Sequence, residues 1–598
     1  MARRTRSGPR FLPERHDRAG WTRLALAVAG SVVTVAVVVL AWQGARAAIL
    51  LSRASDSSQL LLAQVAQGDA EGARRTADVL GDAARRAHDA TDGPVWAVAA
   101  RVPLVGDDVD AVRIVSREVD RVASQAVPTV VDVTTRVQLD AFSPRDGRVD
   151  VANLEAVAPR LSGPRRALEE ASAGLAAIEP GDVVGRLQAP VRRLQTTVAS
   201  AASAARIADT AAELLPGMLG ADGKRRYLLL IQNNAESRSL GGIPGSFAVI
   251  EADRGRVRMR EQGSALDVPP DVDAPLQVPA AQRGAIPVTV AQDLRNTTAV
   301  PDFPEAARFA SSLVGDALDT RFDGVVAVDP VTLGSLLQGL GPVTLDDGTR
   351  LTPENAVDEL LSGVYLRYTT DPLAQDAVFE DAARRIFDTF VEGGGSTQVV
   401  LESLVRAGFD KRVMVWSADE AEQERILTTG AAGALSQERG RAHVGVYVDD
   451  STGSKLQYYL DTTHTLRSVR CLDDTAQVLR LRTRLASSAP ETGLPLSVTG
   501  LRQPGLRLGD QRLTVRVVAP AGGVLQSVRL GDTERQPVGG RLGDRPVTVV
   551  PLVLRPGESI DLEVTLRTAD GQTGDAVLTT TPGVRTVGND VRVRSRCD

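Results

Sequence analysis

The spacing of hydrophobic and polar residues divides the chain into four stretches. Residues 24–45 form one uncharged apolar run, and residues 46–215 carry apolar residues at intervals of three and four, which is typical of amphipathic helices. Residues 216–488 alternate short apolar runs with helical segments, a pattern that predicts an α/β domain with a mixed sheet. Residues 489–598 alternate apolar and polar positions between Gly, Pro and Asp turns, which predicts a C-terminal β-sandwich. We therefore expect a multidomain protein with one transmembrane helix, a helical bundle or stalk, an α/β domain and a β-sandwich.

The apolar run 24–45 has the length and the flanks of a membrane anchor. A helix needs about 20 residues to cross the hydrocarbon core, and Trp21 and Trp42 lie near the ends of the run, where indole rings favour the headgroup region. Seven arginines precede the run, and basic flanks stay in the cytoplasm. We predict a cell-membrane protein with a cytoplasmic tail (1–23) and an extracytoplasmic bulk. The alternative is a cleaved signal peptide, although the run exceeds the usual apolar region of about 7–15 residues.

Within residues 216–488 several elements can be placed individually. Tyr227–Ile231 predicts a buried strand, and Ser246–Ile250 and Arg256–Met259 flank an Asp-Arg-Gly turn, which is typical of a hairpin. Gly324–Val328 predicts another strand, and Val331–Leu340 predicts the helix that follows it.

Turn and cap signals mark the expected boundaries. Gly163-Pro164 predicts a break between helices. Thr352 before Pro353 predicts the cap and first position of a helix. Asp449-Asp450 predicts a turn.

Composition and charge narrow the class of partner. The net charge of −6 and the pI of about 5.6 argue against nucleic acid as a partner of the whole chain. The four histidines and two cysteines lack zinc-type spacing. In an oxidising space Cys471 and Cys597 could form one disulfide, and two unpaired thiols are the alternative.

The densest polar cluster is the segment Gln232–Gly245, between two predicted strands. Its glycines let backbone N–H groups approach an anion, and Arg238 could grip a phosphate or carboxylate with two hydrogen bonds. On residue types alone, the favoured interpretation is structural, with the Asn and Gly residues closing the strand ends. The segment is neither a P-loop nor a dinucleotide fingerprint.

Two aspartates flank the strand Gly324–Val328. Asp323 and Asp329 could hold a metal or act as a base. Asp before Gly or Pro more often shapes a turn, and we favour that interpretation. No nucleophile elbow or HExxH motif occurs in the sequence, so hydrolysis by those routes has no support.

Several strings resemble the bacterial membrane-anchored family that carries the domain of unknown function 4012. They are YLLLIQNNAESRSLGGIPGSF from Tyr227, FDGVVAVDP from Phe322, the TPENA string from Thr352 and GSKLQYY from Gly453. On this resemblance, the ligand-binding candidates in the first string are Asn233, Asn234, Glu236, Arg238, Gly241 and Gly242. The family brings no established reaction.

A more distant similarity concerns the LytR-CpsA-Psr enzymes, in the order of the VDP, GPV and T-x-E-N-A strings. Those single-pass proteins transfer glycopolymers from polyprenyl-pyrophosphate carriers to peptidoglycan, with clustered arginines, aspartates and magnesium around the pyrophosphate. The similarity implies that Arg238 would stand near their first arginine. Their later arginine run departs here to YLRYTTD, so that Arg367 is a loose counterpart.

Two functions follow as hypotheses. In the first, a membrane-anchored envelope protein binds a glycan or a lipid-linked envelope ligand without catalysis. In the second, a phosphotransferase moves a glycopolymer from a polyprenyl-pyrophosphate carrier to the cell wall, with Arg238 as the clamp and Asp323 or Asp329 holding Mg²⁺. The first is favoured because the arginine set is incomplete.

Overall fold

The N-terminal apolar run lies inside one long helix, α1 (Arg18–Ala66). The computed structural model describes residues 18–66, 69–103, 105–136, 144–145, 147–436, 438–585 and 589–597, so the predicted tail falls largely outside the described residues. Within α1, Thr34–Val65 is long and apolar enough to cross a membrane.

Packing separates the two halves of this helix. Val35, Val38 and Trp42 are each about 60% exposed (62%, 61% and 61%), whereas Ala47 and Ala54 are buried. The buried positions from Ala47 onward pack with the following helix. Burial therefore begins at Ala47, just after the predicted end of the membrane span at residue 45, although apolar composition alone would extend the span to Val65.

The chain divides into two compact units, residues 1–136 with 160–205, and residues 137–159 with 206–598. Helices account for the described structure up to residue 218. They are α2 (Ala70–Thr91), α3 (Pro94–Ala99), α4 (Gly106–Arg121), which continues through a π-helical turn (Val122–Ala126) into α5 (Val127–Arg136), then α6 (Val151–Ala176) and α7 (Gly185–Met218).

The predicted break at Gly163-Pro164 is wrong, because α6 runs through it. Proline removes one backbone hydrogen bond and costs a helix interior about 3 kcal/mol. The next turns of α6 bury Ala167, Ala171 and Leu175, and this burial offsets the cost.

The second unit begins with a five-stranded mixed sheet in the order β3-β2-β1-β4-β7, as the sequence predicts. Its strands are β1 (Arg225–Asn233), β2 (Ile243–Asp253), β3 (Arg256–Ser264), β4 (Gly324–Val328) and β7 (Met414–Ser417). β1 runs parallel to β4 and antiparallel to β2, with Tyr227 opposite Gly324. The parallel pair brings the carboxyl ends of β1 and β4 to one edge.

Helices and two short strands fill the rest of this part. They are α8 (Phe303–Leu318), α9 (Pro330–Leu340), β5 (Val343–Thr344), β6 (Arg350–Leu351), α10 (Ala356–Asp358), α11 (Val364–Arg367), α12 (Pro372–Val391), α13 (Thr397–Phe409) and α14 (Glu420–Ile426). Thr352 does not cap a helix that starts at Pro353. Instead the helix begins at Ala356, after a turn in which the Asn355 side chain accepts from the Thr352 N–H.

Two further sheets follow. One has the order β13-β12-β16-β10-β9 and the other the order β14-β15-β11-β8-β17-β18. Their strands are β8 (His443–Asp450), β9 (Leu460–Leu472), β10 (Ala476–Ser487), β11 (Gln511–Val518), β12 (Val524–Leu530), β13 (Thr533–Arg535), β14 (Gly539–Leu542), β15 (Arg545–Leu554), β16 (Ser559–Arg567), β17 (Ala576–Thr580) and β18 (Val591–Val593), and a short helix, α15 (Leu496–Thr499), precedes β11.

One hydrophobic cluster joins these two sheets, with Val446 and Val515 from one and Leu481 and Val564 from the other. Strands β8 and β10, which precede the predicted boundary at residue 489, are hydrogen-bonded to strands that follow it. The sandwich geometry itself stays a prediction. A disulfide joins Cys471 on β9 to Cys597 near the C-terminus.

Candidate functional site

The polar segment Gln232–Gly245 connects β1 to β2 at the carboxyl edge of the parallel pair. In open α/β sheets ligands tend to bind outside the carboxyl ends of the strands. The segment is largely buried, however, and most of its side chains bond to other parts of the second unit.

Arg238 is partly buried and bonds to protein groups. Its Nη1 donates to the carbonyl oxygens of Ser237 (2.9 Å) and Asp450 (3.1 Å), and its Nη2 donates to Asn296 Oδ1 (3.3 Å). Burial lowers the pKa of Arg238, although Asp450 and Glu236 act in the opposite direction. These contacts join the β1–β2 segment to the end of β8, a structural role.

Asn233 and Glu236 lie beside Tyr365 and Lys455. Asn233 Nδ2 donates to the Tyr365 hydroxyl (2.6 Å), and Glu236 Oε1 pairs with Lys455 Nζ at 2.5 Å. Lys455 also stands 5.3 Å from the centre of the Tyr365 ring. Burial raises the pKa of Tyr365 well above its usual range, so the hydroxyl stays protonated at neutral pH.

Gly241 and Gly242 allow the backbone of the segment to pack closely against neighbouring groups. Gly241 has φ +127°, in the region that favours glycine, and a Cβ on Gly242 would lie 2.1 Å from the Asn233 carbonyl oxygen. The Gly242 carbonyl accepts from Thr298 Oγ1 (2.8 Å). Asn234 Nδ2 donates to the carbonyl of Pro582 (3.1 Å).

Asp449 and Asp450 end strand β8 and are buried, so their prediction as a turn is wrong. Asp449 accepts from the Ser239 N–H and forms a buried ion pair with Arg516. Asp450 accepts from the N–H of Gly453 (2.8 Å) and from Gln457 Nε2 (3.0 Å), and burial is the largest influence raising its pKa. Each of the two carboxylates therefore accepts hydrogen bonds from several surrounding protein groups.

Asp323 and Asp329 lie at opposite ends of β4 and do not converge on one site. Asp323 accepts from the Arg226 N–H (2.7 Å), while Asp329 caps α9 by accepting from the Thr332 N–H (2.8 Å). Asp329 also forms a buried ion pair with Arg412 Nη1 (2.6 Å). In the described part of the chain no group of three or more His, Cys, Asp or Glu residues is arranged to hold a metal ion.

Arg367 bonds to residues other than those around Arg238. Its guanidinium lies 3.1 Å from Glu359 and 3.7 Å from Asp347, and it is partly exposed. Arg238 and Arg367, the two arginines of the transferase hypothesis, therefore share no partner.

A cleft of about 190 Å³ opens beside Ser237, along strand β9 at the edge of its sheet. We call it the β9 cleft. It is lined by Ser237, Val448, Gln457, Leu460, Asp461, Thr462, Thr463, His464, Thr581, Gly583, Val584 and Arg585. Asp461 pairs with Arg585 (3.1 Å), and burial lowers the pKa of His464 to about 4. At neutral pH the lining therefore carries no net charge.

Three hydrogen bonds hold the walls of this cleft in place. Asn234 donates to Pro582, Arg412 donates to the Gly583 carbonyl (2.7 Å), and Thr581 Oγ1 donates to the Ser239 carbonyl (3.0 Å). Gln457 lines the cleft, and its buried Oε1 lacks a hydrogen-bond partner among the residues described.

Residues 222–365 match the model of DUF4012, described as a protein of unknown function. The resemblance to this family is therefore confirmed over that segment. No curated protein and no solved structure matches the chain. The more distant similarity to the LytR-CpsA-Psr enzymes stays a prediction.

Sequence reasoning missed most partners of the segment. Tyr365, Lys455 and Gln457 lie far from it in sequence, although the last two belong to the GSKLQYY string. The resemblance of the GSKLQYY string to the same family was the one sequence signal that pointed to Lys455 and Gln457. Arg412 and Arg516 carry no local signal.

Proposed function

We propose that this protein is a single-pass, membrane-anchored component of the cell envelope whose outward part binds a glycan or a lipid-linked envelope ligand. The β9 cleft carries the proposal, because its lining offers threonine hydroxyl groups beside the DUF4012 segment. The seven arginines before the apolar helix support a cytoplasmic N-terminus.

The chemistry of the cleft suits a sugar. Thr462 and Thr463 present hydroxyls that both donate and accept, as do the hydroxyls of a saccharide. Val448 and Leu460 provide apolar surface for the C–H face of a ring.

The size of the cleft limits the ligand. Sites for drug-sized molecules occupy about 300–1,000 Å³, and the β9 cleft is smaller at about 190 Å³. It would therefore take one sugar residue, such as the end of a longer glycan. Because the cleft follows an edge strand, the remaining sugar residues of such a glycan would extend into solvent.

The phosphotransferase remains the alternative, but fewer observations favour it. Arg238 donates to backbone carbonyls and Asn296, and Arg367 pairs with Glu359 and Asp347. Asp323 and Asp329 are at opposite ends of β4. A transferase would need these arginines and aspartates to leave their present partners and bind pyrophosphate and metal. Binding of a ligand in the β9 cleft leaves their contacts unchanged.

Binding of neutral oligosaccharides to the full chain in detergent micelles tests the proposal. Thr463→Val removes one hydroxyl from the cleft, and loss of one hydrogen bond should weaken binding about 2- to 10-fold. Thr465→Val is the matched control, because Thr465 is also exposed on β9 but is not among the described lining residues. Calorimetric titration with hexose and N-acetylhexosamine oligomers gives both affinities.

Two outcomes would contradict the proposal. One is the failure of every neutral oligosaccharide to bind the parent protein. The other is equal weakening by Thr463→Val and Thr465→Val, which would place the sugar elsewhere. Binding of an extended peptide in place of sugars would identify β9 as a strand-pairing edge.

A further inference from the structure

A second, larger cavity lies in the same unit, away from the β9 cleft. It measures about 500 Å³ and is bounded by the segment after α14 and by strands β8, β15 and β17. Its polar lining includes Lys411, Thr429, His443, Tyr447, Arg545 and Asp590. A volume of this size lies within the usual range for small-molecule sites.

Arg545 differs from the other buried arginines of the described chain. Arg412, Arg516 and Arg545 are 6%, 5% and 4% exposed. Arg412 pairs with Asp329 and Arg516 pairs with Asp449. Arg545 has no carboxylate within 4 Å in the described ranges, and its hydrogen bonds go to backbone carbonyls.

An unpaired buried charge is costly unless a counter-charge accompanies it. Arg545 has five N–H donors, and three hydrogen bonds reach the carbonyls of His443, Ala519 and Ser436. Two donors therefore remain for a ligand. Burial lowers the pKa of Arg545, and the neighbouring Asp544 acts in the opposite direction.

The other charges of the cavity are balanced. Lys411 pairs with Asp590 (3.1 Å), and Glu438 lies 3.5 Å from Arg441 and 3.2 Å from the His443 ring. Burial lowers the pKa of His443, so the ring is neutral at neutral pH. The charged lining residues Lys411, Glu438, Arg545 and Asp590 sum to zero, but among them only Arg545 has no oppositely charged group within 4 Å in the described ranges.

Tyr447 supplies a further polar group. It is 4% exposed and lines the cavity, and within the described chain its hydroxyl has no hydrogen-bond partner. Burial is the main influence that raises its pKa, so it remains a donor at neutral pH. Thr429 and Thr579 add hydroxyl oxygens to the wall.

We propose that this cavity binds a hydroxylated small molecule through one oxyanion, a phosphate or carboxylate group held by Arg545 and the Tyr447 hydroxyl. The guanidinium supplies the charge-assisted donors and the tyrosine supplies an additional one. The site is independent of the β9 cleft and of the function proposed for it.

Titration of the full chain with glucose 6-phosphate, glucuronate and glucose tests this site. We expect the two anions to bind and to raise the melting temperature, and glucose to do neither. Whichever anion binds more tightly identifies the oxyanion. Tyr447→Phe, which keeps the ring, should weaken anion binding about 2- to 10-fold through loss of one hydrogen bond, and Arg545→Met should abolish it.

Arg439→Gln is the matched control for charge, because Arg439 is an arginine near the cavity whose side chain is 87% exposed. It should leave anion binding unchanged, and so should Thr463→Val in the β9 cleft. Failure of both anions to bind would overturn the proposal. So would anion binding that survives in Tyr447→Phe with parent affinity, a measurement that holds even if Arg545→Met does not fold.

Discussion

Arg238 is a residue type that often binds anionic ligands, but its side chain here is hydrogen-bonded to protein groups. Two of its three hydrogen bonds connect the β1–β2 segment to the carbonyl of Asp450 and to Asn296. Removing it would take one donor away from each of these oxygens, and an unsatisfied buried group costs about 1–3 kcal/mol. The residue therefore belongs to the scaffold that holds Ser237 at the β9 cleft.

Arg238→Ala should lower the free energy of unfolding by about 2–4 kcal/mol, because it removes charge-assisted hydrogen bonds and buried packing. Arg482→Ala is the control, since Arg482 is 63% exposed and lies 3.7 Å from its partner Glu563, and it should change stability by about 0.5 kcal/mol or less. Chemical denaturation of both variants gives the comparison. An unchanged Arg238→Ala stability with lost affinity for a pyrophosphate analogue would instead favour the transferase.

At the scale of elements, the junction between β4 and α9 depends on the ion pair between Asp329 and Arg412. Asp329 caps α9 through the Thr332 N–H, and its other oxygen accepts from Arg412. Both side chains are buried, and Arg412 also reaches the Gly583 carbonyl. One pair thus connects the first sheet to the wall of the β9 cleft.

Asp329→Asn should cost about 3–5 kcal/mol, because it leaves the buried Arg412 charge without its partner. The double variant Asp329→Asn, Arg412→Met should be less destabilised than Asp329→Asn alone, since no charge then remains buried. Addition of Mg²⁺ or a chelator should leave the melting temperature of the parent protein unchanged. Stabilisation by Mg²⁺ that disappears in Asp329→Asn would restore the metal-site hypothesis.

The elements that the sequence predicts well are those with a strong local pattern. β1, the β2–β3 hairpin, β4 and α9 appear within five residues of their predicted bounds, since apolar runs, Asp-Arg-Gly and Asp-Pro act locally. The partners of the candidate site could not be predicted in this way. Asn233 and Tyr365 are 132 positions apart, and Arg238 and Asp450 are 212 apart, so only the folded chain brings them together.

At the scale of the whole molecule, the apolar helix and the disulfide both bear on which side of the membrane the C-terminal strands lie. A disulfide persists in an oxidising space and is rare in the cytoplasm. The bond between Cys471 and Cys597 spans 126 positions and connects β9 to the C-terminal tail. The tail is also held by the Ser595 N–H, which donates to Asp575 (3.0 Å), and by the Arg596 N–H, which donates to Ser468 (3.1 Å).

Replacing both cysteines by serine should lower the free energy of unfolding by about 2–5 kcal/mol, because the bond closes a long loop in the unfolded chain. Each single replacement should have nearly the same effect as the double, since either one removes the whole bond. Reduction of the parent protein should match the double variant, and reductant should not change that variant further. Mass spectrometry of protein taken from membranes should find the two cysteines linked. Two free thiols would contradict an outward location of the C-terminal strands, and with it the predicted orientation of the apolar helix.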